Sequence, residues 1–429
     1  MAEAIAQEPV AEGALPPLFR QVRWWILTLL FFVTVINFVD RLTLSYVAPV
    51  LKDTFKLSNT DYGLIVSCFL FGMMIGEFPM GWVMDRKGPK FGFSFAVIWW
   101  SIANALHAFA TSKFQFGFLR FWMGTGECGN YSGGVKVIGQ WFPVKERAFA
   151  MGVMNGASLV GNMITPPLII YLMMKFNWHA AFLIPSLLGM FWVFFWRYFY
   201  SNPDDHPALT EAERRYIKRD HELETAAPRS VELLGVRQTW AIMLCRLLVG
   251  PVIQFYLFWL PEYLYRTRGL DIKSIGYFAV LPPIFGDLGS VGGGAIAGIM
   301  IARGLTVTRA RQAVMLSGAA MCALSIVVVT AQSPLVWGAA ICLVYLGHYA
   351  LSANMFAAVS DLFPNNAVAR VTALTGIAGG FSGWLFPILT GWLVDKVSFT
   401  PVFFIAALMP AAGVVALFAI SGSLRRVEV

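Results

Sequence analysis

Asp40 and Arg41 sit side by side in a run that is otherwise hydrophobic from Trp24 to Leu51. A charge near the centre of a membrane-spanning helix costs about 2.5–3.5 kcal/mol on insertion scales, so such a pair faces a protein interior or a water-filled cavity. A second pair lies downstream: Arg120 and Glu127 are two helical turns apart, about 10.5 Å along one face. Two guanidinium groups at membrane depth can hold an anion, and two carboxyl groups at the same depth can carry protons. A structural ion pair with another helix is the competing reading of Arg120 and Glu127. Gly124, Gly126, Gly129, Gly133 and Gly134 favour the polar site, because they give this segment a thin surface for close helix packing.

Weaker candidates surround these four. Glu77 is a third intramembrane acid, which either pairs with a basic residue at a cytoplasmic gate or transfers protons. Lys136 is expected to snorkel to the surface, and Arg246 to be interfacial. Asp287, in Gly286-Asp287-Leu288-Gly289-Ser290, has a structural and a functional reading of equal weight. Gln254, Tyr256, His348, Ser352 and Asn354 suit hydroxyl recognition or, individually, helix–helix hydrogen bonds. No His, Cys or carboxylate cluster has metal-ligand spacing, and neither a GxSxG motif nor a phosphate loop occurs. Neither enzymatic activity nor a cofactor is expected. Cys68, Cys128, Cys245, Cys322 and Cys342 all lie in apolar segments and read as buried packing thiols.

The elements that position these residues follow from composition. The chain has 429 residues, 58% hydrophobic and 13% charged, with a mean hydropathy of +0.65. A soluble chain carries about a quarter charged residues. Repeated apolar runs long enough to cross a hydrocarbon core of about 30 Å predict an all-α polytopic membrane protein. Twelve spans are predicted, at 24–50, 60–84, 91–111, 114–137, 147–174, 180–200, 239–265, 274–301, 309–330, 334–357, 367–394 and 400–421. Trp24 to Ile36 has the look of a signal-peptide core, but no small-residue cleavage site follows, so a retained first helix is expected.

The net charge of +8 is compatible with nucleic-acid binding, but its distribution points elsewhere. Basic residues gather on alternate connections, among them Arg86, Lys87, Lys145, Arg147, Arg303 and Arg370, as the positive-inside rule requires. Nucleic-acid binding is excluded on this basis, and both termini are placed in the cytoplasm. The long polar stretch from Ser201 to Gln238 divides the chain into six spans plus six. The expected organisation is a cytoplasmic tail over 1–23, a six-helix bundle over 24–200, a linker over 201–238, a second bundle over 239–421 and a tail over 422–429. Within the linker, Thr210 to Glu213 fits a capping box opening a short helix through about Glu222. That helix either lies along the inner membrane surface or is solvated. Gly81-x-x-x-Asp85-Arg86-x-Gly88 and Gly298-x-x-x-Ala302-Arg303-Gly304 close corresponding spans of the two halves, an internal echo of the kind repeat-built transporters show.

Gly81-Trp82-Val83-Met84-Asp85-Arg86-Lys87-Gly88-Pro89-Lys90 resembles the loop 2–3 signature of the major facilitator superfamily. Asn37 to Ser45, Gly126-Glu127-Cys128-Gly129-Asn130-Tyr131, Trp141 to Ala148 and Pro166-Pro167 resemble the anion:cation symporter family. Asp40 to Ser45, Tyr256-Leu257-Phe258-Trp259-Leu260-Pro261 and Ser360-Asp361-Leu362-Phe363-Pro364 are similar to its hexuronate transporter branch. The resemblance implies a twelve-helix major facilitator fold in two halves. It also implies Arg41 and Arg120 on the substrate carboxylate, Asp40 and Glu127 as protonation sites, and Asp85 and Arg86 as a gate latch. Three departures stand out: Met73 where a substrate-facing Tyr is usual, Glu77 where Gln is common, and Pro89 in place of a basic residue.

The resulting expectation is a proton-coupled symporter for a sugar-acid anion, a hexuronate such as galacturonate or glucuronate. Gln254, Tyr256 and Asn354 would join Arg41 and Arg120 around the substrate, with Glu77 beside Asp40 and Glu127 in proton coupling. The alternatives are the same fold carrying an aldarate, aldonate or aromatic carboxylate, and a non-transporting membrane sensor. Expected partners are the small organic anion, protons and the lipid bilayer. A monomer in a bacterial cytoplasmic membrane is the default, since one chain carries both halves of the site.

Overall fold

Apolar helices with few charges can satisfy their backbone polar groups only within themselves, so they cross a bilayer as uninterrupted rods. In the computed structural model, which describes residues 17, 20–219, 230–424 and 426–427, such rods make up nearly the whole chain. The first half contains α1 (Val22–Phe55), α2 (Asn59–Leu106), α3 (Lys113–Glu127), α4 (Gly129–Trp141), α5 (Val144–Lys175) and α6 (Trp178–Phe199). Two short linker helices follow, α7 (Glu211–Lys218) and α8 (Ser230–Leu234). The second half contains α9 (Arg237–Arg266), α10 (Ile272–Phe278), α11 (Leu281–Ala302), α12 (Val307–Cys322), α13 (Ser325–Thr330), α14 (Pro334–Leu362), α15 (Asn365–Lys396) and α16 (Thr400–Ser421).

Among the described residues, ten helical stretches are long and apolar enough to cross a membrane. The twelve crossings emerge when two features are considered. The 48-residue α2 holds two spans, because Gly88 adopts φ 77° and ψ 164° in its middle and reverses the chain. That conformation is open to glycine and strained for other residues. Gly304, which closes the internal echo one residue earlier in the second half, also has a positive φ of 94°. The α3–α4 pair forms the fourth span, where Arg120, Glu127 and Lys136 lower the hydropathy. The eighth and ninth spans are likewise broken, between α10 and α11 and between α12 and α13. The helical ends extend the predicted spans by a few residues at most sites, as at 22–55 for the first.

Thr210 caps α7 by accepting from the Glu213 N–H at 3.3 Å. The predicted end of this helix near Glu222 lies outside the described residues, as do Arg229, most of the tail over 1–23, and Arg425, Glu428 and Val429. Glu213 is buried and ties the linker to the first half: it accepts from the backbone N–H groups of Val22 and Arg23 and from the Arg23 guanidinium. Leu233 of α8 is instead buried in the second half, among Ile242, Val359 and Phe363. The five cysteines are free; Cys68 is half-buried and the other four are buried.

The core shows how the halves join. At the end remote from the termini, Val252 to Leu264, Trp337, Phe399 and Phe403 belong to one continuous apolar core with the first half. At the end that carries the termini, the second half has a separate core around Cys245, Met315, Val359 and Leu417. The halves are fused at the far end and apart at the termini end.

Candidate functional site

The helix α1 presents Asp40 and Arg41 in different directions, because adjacent residues on a helix are about 100° apart. Asp40 is fully buried and points toward the second arm of α2. There Trp100 Nε1 donates to its Oδ2 at 3.2 Å and Asn104 Nδ2 to its Oδ1 at 2.7 Å. Arg41 points toward α3. Its Nε donates to Glu127 Oε2 at 2.9 Å, and its Nη2 to Asn37 Oδ1 at 3.0 Å. Arg41 retains 18% of its side-chain exposure whereas Glu127 retains none. The guanidinium therefore forms the accessible face of a buried ion pair.

Arg120 completes the group. Its Nη1 donates to the Arg41 carbonyl at 3.1 Å, while Nε and Nη2 have no partner among the described residues. Glu127 Oε1 is likewise unmatched. Both guanidinium carbons lie 5.7 Å from the Phe69 ring centroid, a shared cation–π platform. Glycines set α3 tightly enough against α2 to make this possible. A Cβ on Gly124 would fall 2.2 Å from the Phe69 carbonyl oxygen, and one on Gly72 would fall 2.3 Å from that of Phe121. Gly126, Gly129, Gly133 and Gly134 make similarly close contacts, as a thin packing surface requires. The assembly combines two arginines, one with two buried donors that have no partner among the described residues, and an acid paired with the other.

The remaining candidates separate. Glu77 is exposed on α2, with no hydrogen-bond or ion-pair partner among the described residues. Gln254 is half-buried on α9 and also unengaged. Tyr256 is buried and shares a 2.8 Å hydrogen bond with Ser325. With Leu42, Tyr46, Asn162 and Tyr345 it lines a small cavity between the halves. Asn354 is committed to the protein: its Oδ1 accepts from Arg311 Nη1 at 3.0 Å and its Nδ2 donates to the Ala350 carbonyl at 2.9 Å. Arg311 in turn pairs with Asp361 at 3.0 Å. Asp85 pairs with Lys136 at 2.8 Å, and Lys136 also donates to the Met84 carbonyl, so this lysine reaches an exposed carboxylate and clamps α4 to α2. Arg86 lies over the Trp82 ring.

One charged group escaped the sequence reasoning. At the far end, Lys52 Nζ donates to Asn59 Oδ1 and Glu262 Oε1, each at 2.5 Å. Glu262 is completely buried, and Arg266 bridges it to Asp53. Asp395 accepts from the backbone and side chains of Asn59 and Thr60. These contacts cross from one half to the other. The available signal was Glu262 itself, an acid lodged beside Trp259-Leu260-Pro261.

A profile of the Major Facilitator Superfamily matches residues 30–385. The chain belongs to this superfamily. It is 30% identical over 424 residues to the hexuronate transporter of Escherichia coli, covering 96% of each chain. It is 29% identical to a probable galactarate/D-glucarate transporter of Bacillus subtilis, covering 87% of this chain and 86% of that one. Among solved structures, a D-xylose–proton symporter superposes with a TM-score of 0.70 at 18% identity, covering 92% of this chain and 97% of the other, which shows the shared fold. As a member of the major facilitator superfamily the chain is a multi-pass membrane transporter with two six-helix halves, not an enzyme.

Proposed function

We propose that this transporter carries a sugar-acid anion, a hexuronate such as galacturonate or glucuronate, together with protons, by alternating access. The observation that carries the reading is the Arg41–Glu127 pair at 2.9 Å beside the open donors of Arg120. While Glu127 is ionised it occupies Arg41. A proton taken by Glu127 weakens that pair and frees the Arg41 guanidinium, so an incoming carboxylate meets two arginines instead of one. The loaded site crosses the closed state with its charges matched, which matters because an unpaired charge in the low-dielectric interior is heavily penalised. On the other side the anion leaves, Glu127 returns its proton to water and re-forms the pair. Asp40, buried against neutral donors, is the second acid in the scheme; Glu77 is the third. Asp85 and Arg86 act at the gate, and Gln254 is the best placed of the neutral candidates to meet sugar hydroxyls. Relatives named for hexuronate and for galactarate or glucarate support the sugar-acid class.

Basic residues on the even-numbered connections put both termini in the cytoplasm of a bacterial inner membrane. With that orientation the separated end is the cytoplasmic one, an inward-facing arrangement, and the proposed carrier acts as a monomer. The test is uptake into proteoliposomes with an imposed pH gradient. Glu127→Gln is expected to lose gradient-driven accumulation while retaining exchange of preloaded substrate. Concentrative uptake by that variant at the parent's level would remove Glu127 from proton coupling.

A further inference from the structure

Arg246 stands nine residues into α9, about 13 Å along the helix from its start. It is half-buried. Its guanidinium carbon lies 5.0 Å from the Phe356 ring centroid, and Gly379 makes room for it: a Cβ there would come 2.9 Å from Nε. Among the described residues it forms no hydrogen bond or ion pair, whereas Arg311 of the same half is held by both Asp361 and Asn354. His348 lies within its electrostatic reach, with Nδ1 unpartnered and Nε2 shared with Ser352. A guanidinium at this depth without an acid must face water or an anion.

Its position relative to the first-half arginines follows from contacts across the halves. Gly380, next to the Gly379 that cradles Arg246, meets Met74 of α2, whose Cγ would be 3.7 Å from a Cβ there. Met74 is five residues, about 7.5 Å, along α2 from Phe69, the ring that Arg41 and Arg120 share. The Gly380–Met74 contact thus joins the α15 segment that cradles Arg246 to the α2 segment that carries Phe69, about one and a half helical turns further along α2. An extended six-carbon diacid places its terminal carbons about 6 Å apart at ~1.5 Å per bond. A hydrogen bond of about 2.8 Å at each end extends that reach.

We propose that Arg246 is a second carboxylate-binding point, on the second half, that selects sugar acids carrying a carboxylate at both ends over those carrying one. This rests on the sugar-acid reading, in which hexuronates are carried, and adds that an aldarate, with a carboxylate at each end, binds the same site more tightly than a hexuronate or an aldonate. A diacid held by Arg41 and Arg120 on one wall and Arg246 on the other also draws the halves together at the termini end. A monoacid leaves Arg246 unused.

The test uses the full chain in proteoliposomes, with labelled galacturonate uptake inhibited by galactarate or galactonate. Galactarate is expected to inhibit at a concentration at least about tenfold lower than galactonate, the margin one charge-assisted contact supplies. Arg246→Gln is expected to raise the galactarate requirement by at least that factor and the galactonate requirement much less, with Arg246→Lys between. Equal potency of the two acids in the parent protein, which needs no variant to fold, overturns the proposal and leaves the sugar-acid reading standing. Equal weakening of both acids by Arg246→Gln, matched by Glu77→Gln, also overturns it, since Arg246 would then serve gate closure against Glu77. Inhibition by neither acid and no galacturonate uptake would bring down the sugar-acid reading itself.

Discussion

The two ends of the helical bundle are built on different rules. At the far end charges bridge the halves: Lys52 to Glu262, Asp53 to Arg266, and Asp395 to the start of α2. Backbones also touch there, with Gly63 against the Pro387 carbonyl and Gly391 against that of Asn59. At the termini end the ion pairs Lys136–Asp85, Arg23–Glu146 and Arg311–Asp361 each stay within one half. The difference teaches where conformational preference is stored. Pairs within a half make that half rigid and are indifferent to which way the carrier faces. Pairs across the halves exist in one state and are broken in the other.

The comparison breaks most sharply at Lys52. Lys52→Glu would set two carboxylates together in a buried place, and losing one partner of a buried pair costs about 3–5 kcal/mol. The far end is expected to open, so a cysteine at Leu260, now buried, should react with an impermeant maleimide at least about a hundredfold faster. The exchanged pair Lys52→Glu with Glu262→Lys should recover much of the protection. Unchanged labelling in the single variant would show that this pair is not a latch.

Packing gives the next largest effect. A side chain at Gly63 would fall 2.3 Å from the Pro387 oxygen, against backbone that cannot step aside. Overpacking of this kind costs about 1–3 kcal/mol. Gly63→Ala should therefore raise Leu260→Cys labelling about tenfold, and slow uptake by disfavouring the state shown here. Labelling at the parent's rate would mean that the α2–α15 crossing has slack. The smallest effect is expected at Asp395, which is exposed along with its hydrogen bonds. Asp395→Asn should raise labelling several-fold, consistent with about 1 kcal/mol for contacts open to water. Asp85→Asn, at the other end and within one half, is the matched comparison and should leave Leu260→Cys labelling at the parent's rate.

Much of this molecule is legible in its sequence because a bilayer leaves few choices. Apolar runs must be helices, so the crossings could be placed to within a few residues, as with Thr400–Ser421. The pairing of Arg41 with α3 was also within reach, since buried charges at one depth need partners and few are available. What the sequence withheld is direction and partnership over distance. Nothing in the spacing of Asp40 and Arg41 says that one turns to Trp100 and Asn104 and the other to Glu127. Lys52 and Glu262 are 210 residues apart, and no spacing in the sequence joins them. Depth alone says nothing of the partners of Lys136 and Arg246. In the structure one is held by Asp85, and the other rests on Phe356.

The linker has its own consequence. Glu213 fastens one end of it to α1 and Leu233 fastens the other inside the second half. Because both halves belong to one chain, each always stays within a small volume around the other. Connection of this kind sets an effective concentration in the millimolar range. A far-end attraction of about 4 kcal/mol, which would join two separate proteins only at millimolar levels, is then enough to keep opening and closing near balance. The tether lets a modest latch govern a reversible cycle.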